Sequence, residues 1–154
     1  MQILEAVDAV NQGQPARFVE KIRKHFEGNL RDKRIAVWGL SFKPRTNDMR
    51  DAPSIKIIES LLADGAAVAA YDPEATDEAK RIFSGRIQLS SSNYGCLEGA
   101  DALLIVTEWQ AFRNPNFERI KTMMRHPVLF DGRNIYDPAQ LRQLGFTYYS
   151  VGRK

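Results

Sequence analysis

Two hydrophobic rhythms divide the chain. Over residues 1–30 apolar positions fall at Leu4, Val7 and Val10, then at Phe18, Ile22 and Phe26, the three-and-four spacing of an amphipathic helix. Between the two sets lies Asn11-Gln12-Gly13-Gln14-Pro15, and Pro15 must end, kink or restart the helix. The first set begins in mid-pattern without an N-cap residue, the look of a longer helix cut at its start. From Arg31 short apolar runs alternate with helical spacing. Residues 33–39 read as a strand, and 53–64 as a helix with Ile55, Ile58, Leu61 and Leu62 inward and Gly65 as its stop. A strand over 66–71 closes at Asp72-Pro73. A helix over 76–83, a short strand over 87–89 and a helical turn over 94–99 follow. The most apolar run predicts a strand over 102–106. Then come a helix over 117–125, a strand over 128–130, a helix over 138–144 and a last strand over 147–151.

Six strands separated by helices with short connections imply an α/β fold of the Rossmann-like, doubly wound kind. Its sheet is mainly parallel and covered on both faces, and an N-terminal helical segment precedes it. Right-handed crossovers favour the strand order 3-2-1-4-5-6. Such sheets bind ligands beyond the carboxyl ends of their strands, beside the switch between strands 1 and 4. Three loops meet there: 39–54, 107–116 and 131–137.

The first of these loops starts like a phosphate-binding turn and then departs from it. The run Ile35-Ala36-Val37-Trp38 ends in Gly39, but the second and third glycines of a dinucleotide fingerprint do not follow. Lys43, Arg45 and Arg50 stand there instead, with Thr46, Asn47 and Ser54 as neutral hydrogen-bonding groups. Arginine offers phosphate a two-pronged fork, and lysine a point charge on a mobile stem. Arg50 precedes a helix whose first amides favour an anion. The plainer alternative is a solvated basic loop paired with Asp48 and Asp51. Arg133 follows the fifth strand in Phe130-Asp131-Gly132-Arg133-Asn134, where Asp131 can hold the loop, although Asp-Gly after a strand is often only a turn. Trp109 could cover a ligand but fits core packing better. Asp72 sits where such folds place a ribose-binding acid, yet without the glycines it reads as a turn-former.

Composition narrows the field. With 154 residues, 44% hydrophobic and 27% charged, the chain suits one compact domain plus an extra element. A net charge of +3 without a block of basic residues gives no footprint for nucleic acid. No apolar stretch approaches the roughly 18 residues of a membrane span. Met1 opens directly into helical periodicity, so a cytoplasmic, soluble protein is expected. The single cysteine, Cys96, has no histidine beside it and reads as a buried thiol. His25 and His126 belong to no metal or triad pattern. A complete catalytic set is not legible, and no catalytic or metal-binding residue is assigned.

The loop motifs, taken together, resemble a known family. Gly39-Leu40-Ser41-Phe42-Lys43-Pro44, then Thr46, Asp48, Arg50 and Ala52-Pro53-Ser54, is similar to the C-terminal domain of the UDP-glucose/GDP-mannose dehydrogenases. The likeness continues through Tyr71-Asp72-Pro73, Ala100-Asp101-Ala102, Thr107-Glu108-Trp109, Phe130-Asp131-Gly132-Arg133-Asn134 and Gly152-Arg153, nearly the whole chain. The Thr-Glu-Trp and Asp-Gly-Arg-Asn versions look most like the UDP-glucose 6-dehydrogenase branch. That resemblance implies conversion of UDP-glucose to UDP-glucuronate by two hydride transfers to NAD⁺. It implies an N-terminal NAD-binding domain and a central helix that makes a homodimer, of which residues 1–30 resemble the end. Residues 31–154 would be the UDP-sugar-binding domain. By position, Lys43 and Arg133 would contact the UDP-sugar, Phe42 would line its pocket, and Arg50 would reach the NAD pyrophosphate across the domain interface. The family's NAD fingerprint and nucleophilic cysteine lie outside this sequence, and Cys96 is not in that cysteine's motif. Asn47 stands where the family usually has an acid. The chain alone is therefore expected to be inactive. Other readings of the residues are a free-standing nucleotide-binding module, a dimerisation module, or a dehydrogenase for UDP-N-acetylmannosamine or GDP-mannose.

Overall fold

A computed structural model describes residues 15–151. Its elements run α1 (Pro15–His25), β1 (Arg34–Trp38), α2 (Pro53–Ala63), β2 (Ala67–Tyr71), α3 (Thr76–Phe83) and β3 (Gln88–Leu89). A 3₁₀ turn at Gly95–Leu97, β4 (Ala102–Ile105), a second 3₁₀ turn at Gln110–Phe112 and α4 (Phe117–Met123) follow, before β5 (Val128–Asp131), α5 (Pro138–Gln143) and β6 (Thr147–Ser150). The strands form one sheet in the order β3-β2-β1-β4-β5-β6, every neighbouring pair parallel. The expected doubly wound order is therefore the observed one. The apolar positions Leu4, Val7 and Val10 lie outside the described residues.

Alternation along β1 explains why the sheet is covered on both sides. Ile35 and Val37 join one core layer with Phe18 and Ile22 of α1, Ile57, Ile58 and Leu61 of α2, and Phe83 of α3. Ala36 and Trp38 face the other way, into a layer with Leu97, Phe112, Ile120 and Leu141. Side chains one apart point to opposite faces, so a strand apolar at every position must be buried on both. Each fully buried large aliphatic or aromatic side chain contributes about 1.5–3 kcal/mol by leaving water.

Local chemistry sets the helix ends. Pro53 opens α2, where its missing N–H would have had no partner anyway, and Gly65 at φ +91° turns the chain after it. Asn116 caps α4 by accepting from the Arg119 N–H, and Asp137 precedes Pro138 at the start of α5. Two sequence expectations shift. Ile57 rather than Ile55 is fully buried in α2, with Ile55 and Leu62 only half-buried, because the helix packs on the sheet and α1 through one narrow stripe. The loop 107–116 contains the 3₁₀ turn Gln110–Phe112, which buries Phe112 stacked on Trp38. Among the described residues no helix is long and apolar enough to cross a membrane.

Candidate functional site at the carboxyl edge of the sheet

The three loops do meet beyond the carboxyl ends of β1, β4 and β5, which are neighbours in the sheet. The turn after β1 is tied down on every side. Gly39 N–H donates to Tyr71 C=O at 2.9 Å, and Phe42 N–H to Asp48 C=O at 2.9 Å. Leu40 and Ser41 N–H donate to Asp72 Oδ2 at 2.7 and 3.1 Å. The carbonyls are met as well: Ser54 Oγ donates to Leu40 C=O at 2.6 Å, and Thr107 Oγ1 to Ser41 C=O at 2.7 Å. All four amides from Gly39 to Phe42 are thus used internally. Gly39 itself is needed for packing: at φ +99°, a Cβ there would lie 2.5 Å from both Cβ and N of Thr107.

The loop after β5 is built on Asp131, which is fully buried. Its Oδ1 accepts from Arg133 N–H at 3.0 Å, and its Oδ2 from Ile135 N–H at 2.8 Å, Tyr136 N–H at 3.1 Å and Tyr148 Oη–H at 2.7 Å. Burial, and then the neighbouring Asp131 charge, push the Tyr136 phenol upward. Gly132 N–H reaches across to Ile105 C=O at 2.9 Å, which fastens the loop to the end of β4. Asn134 bonds both the N–H and the C=O of Val151, so the same loop pins the chain after β6.

Arg133 and Lys43 are linked through two consecutive residues. Thr107 holds the β1 turn, and Glu108 forms an ion pair with Arg133 at 2.8 Å, with side chains 26% and 14% exposed. Glu108 Oε1 is buried and accepts no hydrogen bond among the described residues. Phe42 is half-buried against the core, whereas Lys43 is exposed and makes no ion pair with another described residue.

Arg50 stands apart. Its side chain is 89% exposed and forks onto Asp48, with Nε and Nη2 each 3.0 Å from the carboxylate. That hydrogen bonding holds the Asp48 carboxyl down at about 2. The pair lines a cleft of about 580 Å³ formed by residues 46–51 with Ile55, Glu78 and Ile82. Phe42, Lys43 and Arg133 do not line it. The pairing with Asp48 is the plain alternative seen in the sequence, and it leaves the guanidinium at the surface.

Other residues singled out in the sequence resolve plainly. Cys96 is buried, and desolvation pushes its thiol up to about 12. Trp109 packs partly against the core and donates from Nε1 to Asp72 Oδ2 at 3.3 Å. His25 pairs through Nδ1 with Tyr149 Oη at 2.8 Å. Among the described residues there is no cluster of His, Cys, Asp or Glu that could hold a metal. Asp72 is more than a turn-former, since its carboxylate joins the ends of β1, β2 and β4. Sequence reasoning missed that role, and the pairing of Glu108 with Arg133. The available signal was an acid at the end of each strand flanking the missing glycines.

Known proteins resemble this chain over nearly its whole length. The profile of the UDP binding domain of the UDP-glucose/GDP-mannose dehydrogenase family matches residues 36–138. A UDP-glucose 6-dehydrogenase of Pseudomonas aeruginosa is 44% identical over 157 residues, which cover 99% of this chain and 35% of that protein. A second, from Bacillus subtilis, is 37% identical and covers 99% of this chain and 33% of the relative. The chain therefore spans about a third of the length of the curated relatives it matches. Among solved structures, a UDP-D-ManNAc dehydrogenase from Pyrococcus horikoshii superposes with a TM-score of 0.70 at 29% identity, over 90% of this chain and 30% of the other. A UDP-glucose dehydrogenase from Pyrobaculum islandicum shares the fold with a TM-score of 0.74 at 24% identity, over 92% of this chain and 30% of the other.

Proposed function

We propose, for a chain that belongs to the UDP-glucose/GDP-mannose dehydrogenase family, that residues 31–154 are the UDP-sugar-binding domain of an NAD-dependent UDP-glucose 6-dehydrogenase. The whole enzyme would oxidise UDP-glucose to UDP-glucuronate with two NAD⁺. The observation that carries this reading is the β1 turn, whose amides are all engaged while exposed Lys43 follows directly. A diphosphate at this edge must therefore be met by side chains. Lys43 from the β1 turn and Arg133 from the β5 loop supply the charges, with Phe42 beside them. Arg133 is positioned for this by Asp131 and Glu108.

Arg50 has a separate role. Exposed on its own cleft, it would contact the pyrophosphate of NAD held mainly by an N-terminal domain. Residues 1–30 would be the end of the central helix through which the enzyme dimerises. Cys96, buried and with its thiol pushed up, is unsuited to act as a nucleophile, which supports the view that the chain alone is inactive.

Calorimetric titration of the chain with UDP-glucose, UDP-N-acetylmannosamine, GDP-mannose and NAD⁺ tests the reading. UDP-glucose should bind in preference to the others. Lys43→Ala and Arg133→Ala should each weaken it by about 1.5–3 kcal/mol, roughly ten- to a hundredfold. Equal weak binding of all four ligands, or UDP-glucose binding indifferent to both substitutions, would overturn it. UDP-glucose-dependent NADH formation by the pure chain would overturn the claim of inactivity.

A further inference from the structure

Asp72 carries a buried carboxylate. Its side chain belongs to a residue only 2% exposed, and among the described residues it makes no ion pair. Neutral donors from three segments converge on it instead. Oδ2 receives Leu40 N–H at 2.7 Å, Ser41 N–H at 3.1 Å and Trp109 Nε1–H at 3.3 Å, while the Ser41 hydroxyl donates to Lys43 C=O at 2.9 Å. Oδ1 receives Glu74 and Ala75 N–H, each at 2.8 Å. Successive backbone amides aimed at one point form an anion nest, and a carboxylate buried in one is stabilised by charge-assisted hydrogen bonds. In a dinucleotide-binding sheet, the amides just after the first strand meet the ligand's pyrophosphate.

We infer that Asp72 is a built-in anion that occupies this domain's own phosphate cradle. It closes the crevice to a dinucleotide and locks the backbone from which Phe42 and Lys43 extend. The same carboxylate also fixes Trp109, the residue after Glu108, and so couples the β1 turn to the segment that holds Arg133. Asp72 is thus a positioning residue for nucleotide-sugar binding. That last role rests on the substrate reading above, while the occupied cradle does not.

Size-matched anion rescue tests both parts separately. Asp72→Gly removes the equivalent of acetate, and Asp72→Ala the equivalent of formate. Thermal unfolding of wild type and both variants is followed in chloride, acetate and formate at constant ionic strength, without nucleotide. Acetate should raise the Tm of Asp72→Gly by about 3–6 °C at roughly ten times its Kd, and formate should do the same for Asp72→Ala. Wild type should not distinguish the salts. Equal responses of wild type and variants would overturn the occupied cradle. In the second arm, UDP titrations should show at least tenfold weaker binding to Asp72→Gly, restored by acetate. Anion rescue of stability without rescue of UDP binding would overturn the positioning role but leave the cradle intact. Wild type that binds no UDP in any of the salts would overturn the substrate reading and, with it, the positioning role, leaving the occupied cradle to the first arm. If the truncations fail to fold, Asp72→Asn keeps the shape, removes the charge and sets an amide against N–H donors. It should fold with weakened UDP binding, and unchanged binding would count against the inference.

Discussion

Replacing Gly39 with alanine separates a glycine kept for packing from one kept for a ligand. At φ +99° an L side chain is strained, which costs about 1–2 kcal/mol. The new Cβ would also meet Cβ and N of Thr107 at 2.5 Å and Oγ1 at 2.7 Å. Two of these three atoms cannot swing away: one is backbone, and the other is fixed to it. Overpacking of this kind adds about 1–3 kcal/mol. The expected loss is therefore about 2–5 kcal/mol, a large part of a domain's usual 5–15 kcal/mol. Gly28 is the control, with φ +79° and no atom within 4 Å of its built Cβ. Alanine there carries the backbone strain alone, partly offset by a stiffer unfolded chain, for a net of about 1 kcal/mol or less. Urea unfolding of both variants without nucleotide, followed by circular dichroism, reads the difference. Equal midpoints for the two variants would refute the steric account. So would a Gly39→Ala protein as stable as wild type that binds UDP poorly, which would return the glycine to the ligand.

Two further predictions concern charged and titrating side chains. Burial, and then the nearby His126, lower the pKa of His25 from its ordinary 6.5. As pH falls through about 6.5 the unfolded chain takes up the proton first, so the neutral imidazole's contribution is full above that pH and declines below it, down to the folded value. His25→Phe should therefore flatten the fall of the urea midpoint between pH 7.5 and 5, and an unchanged slope would assign the fall elsewhere. Separately, Arg133→Ala leaves the Glu108 carboxylate half-buried and unpaired, so Arg133→Ala/Glu108→Gln should be more stable than Arg133→Ala alone by about 1–2 kcal/mol. UDP affinity should stay low in both, and recovery of binding in the double variant would remove Arg133 from the site.

The sheet was legible because its signals are local. Apolar runs bounded by Gly39, Asp72-Pro73 and Asp131-Gly132 mark strand ends, and Pro53 suits the first turn of a helix. Right-handed crossovers leave few strand orders, and the doubly wound one expected among them is the one observed. Errors came where tertiary packing chose between adjacent candidates, as with Ile57 over Ile55, or ordered a loop through one buried ring, as with Phe112 on Trp38. The site was legible as a set of positions but not as a set of partners. Which acid holds which base depends on the register between β1, β4 and β5, which a single sequence does not encode locally. Asp131 close to Arg133 was readable; Asp72 against Leu40, 32 residues away, was not.

Under the proposed reading, these partnerships give a dinucleotide-binding sheet a route to a different ligand. A glycine-rich turn recognises phosphate with backbone dipoles, which are fixed once the strand is formed. Here an acid from the neighbouring strand engages those dipoles, and under the proposed reading recognition passes to side chains that the loops must hold ready. Two of the cations are held by acids of their own: Arg50 by Asp48, and Arg133 by Glu108. On the proposed reading, a diphosphate arriving at Arg133 would add to an existing pair rather than discharge a free guanidinium, and its gain would be the difference between two hydrogen-bonded states. Lys43 and Arg45 carry no such partner among the described residues and supply the uncompensated charge. Under the proposed reading, orientation then comes from Arg133 and attraction from the β1 loop. Charges screened by salt attract less, while a hydrogen-bonded fork keeps its geometry.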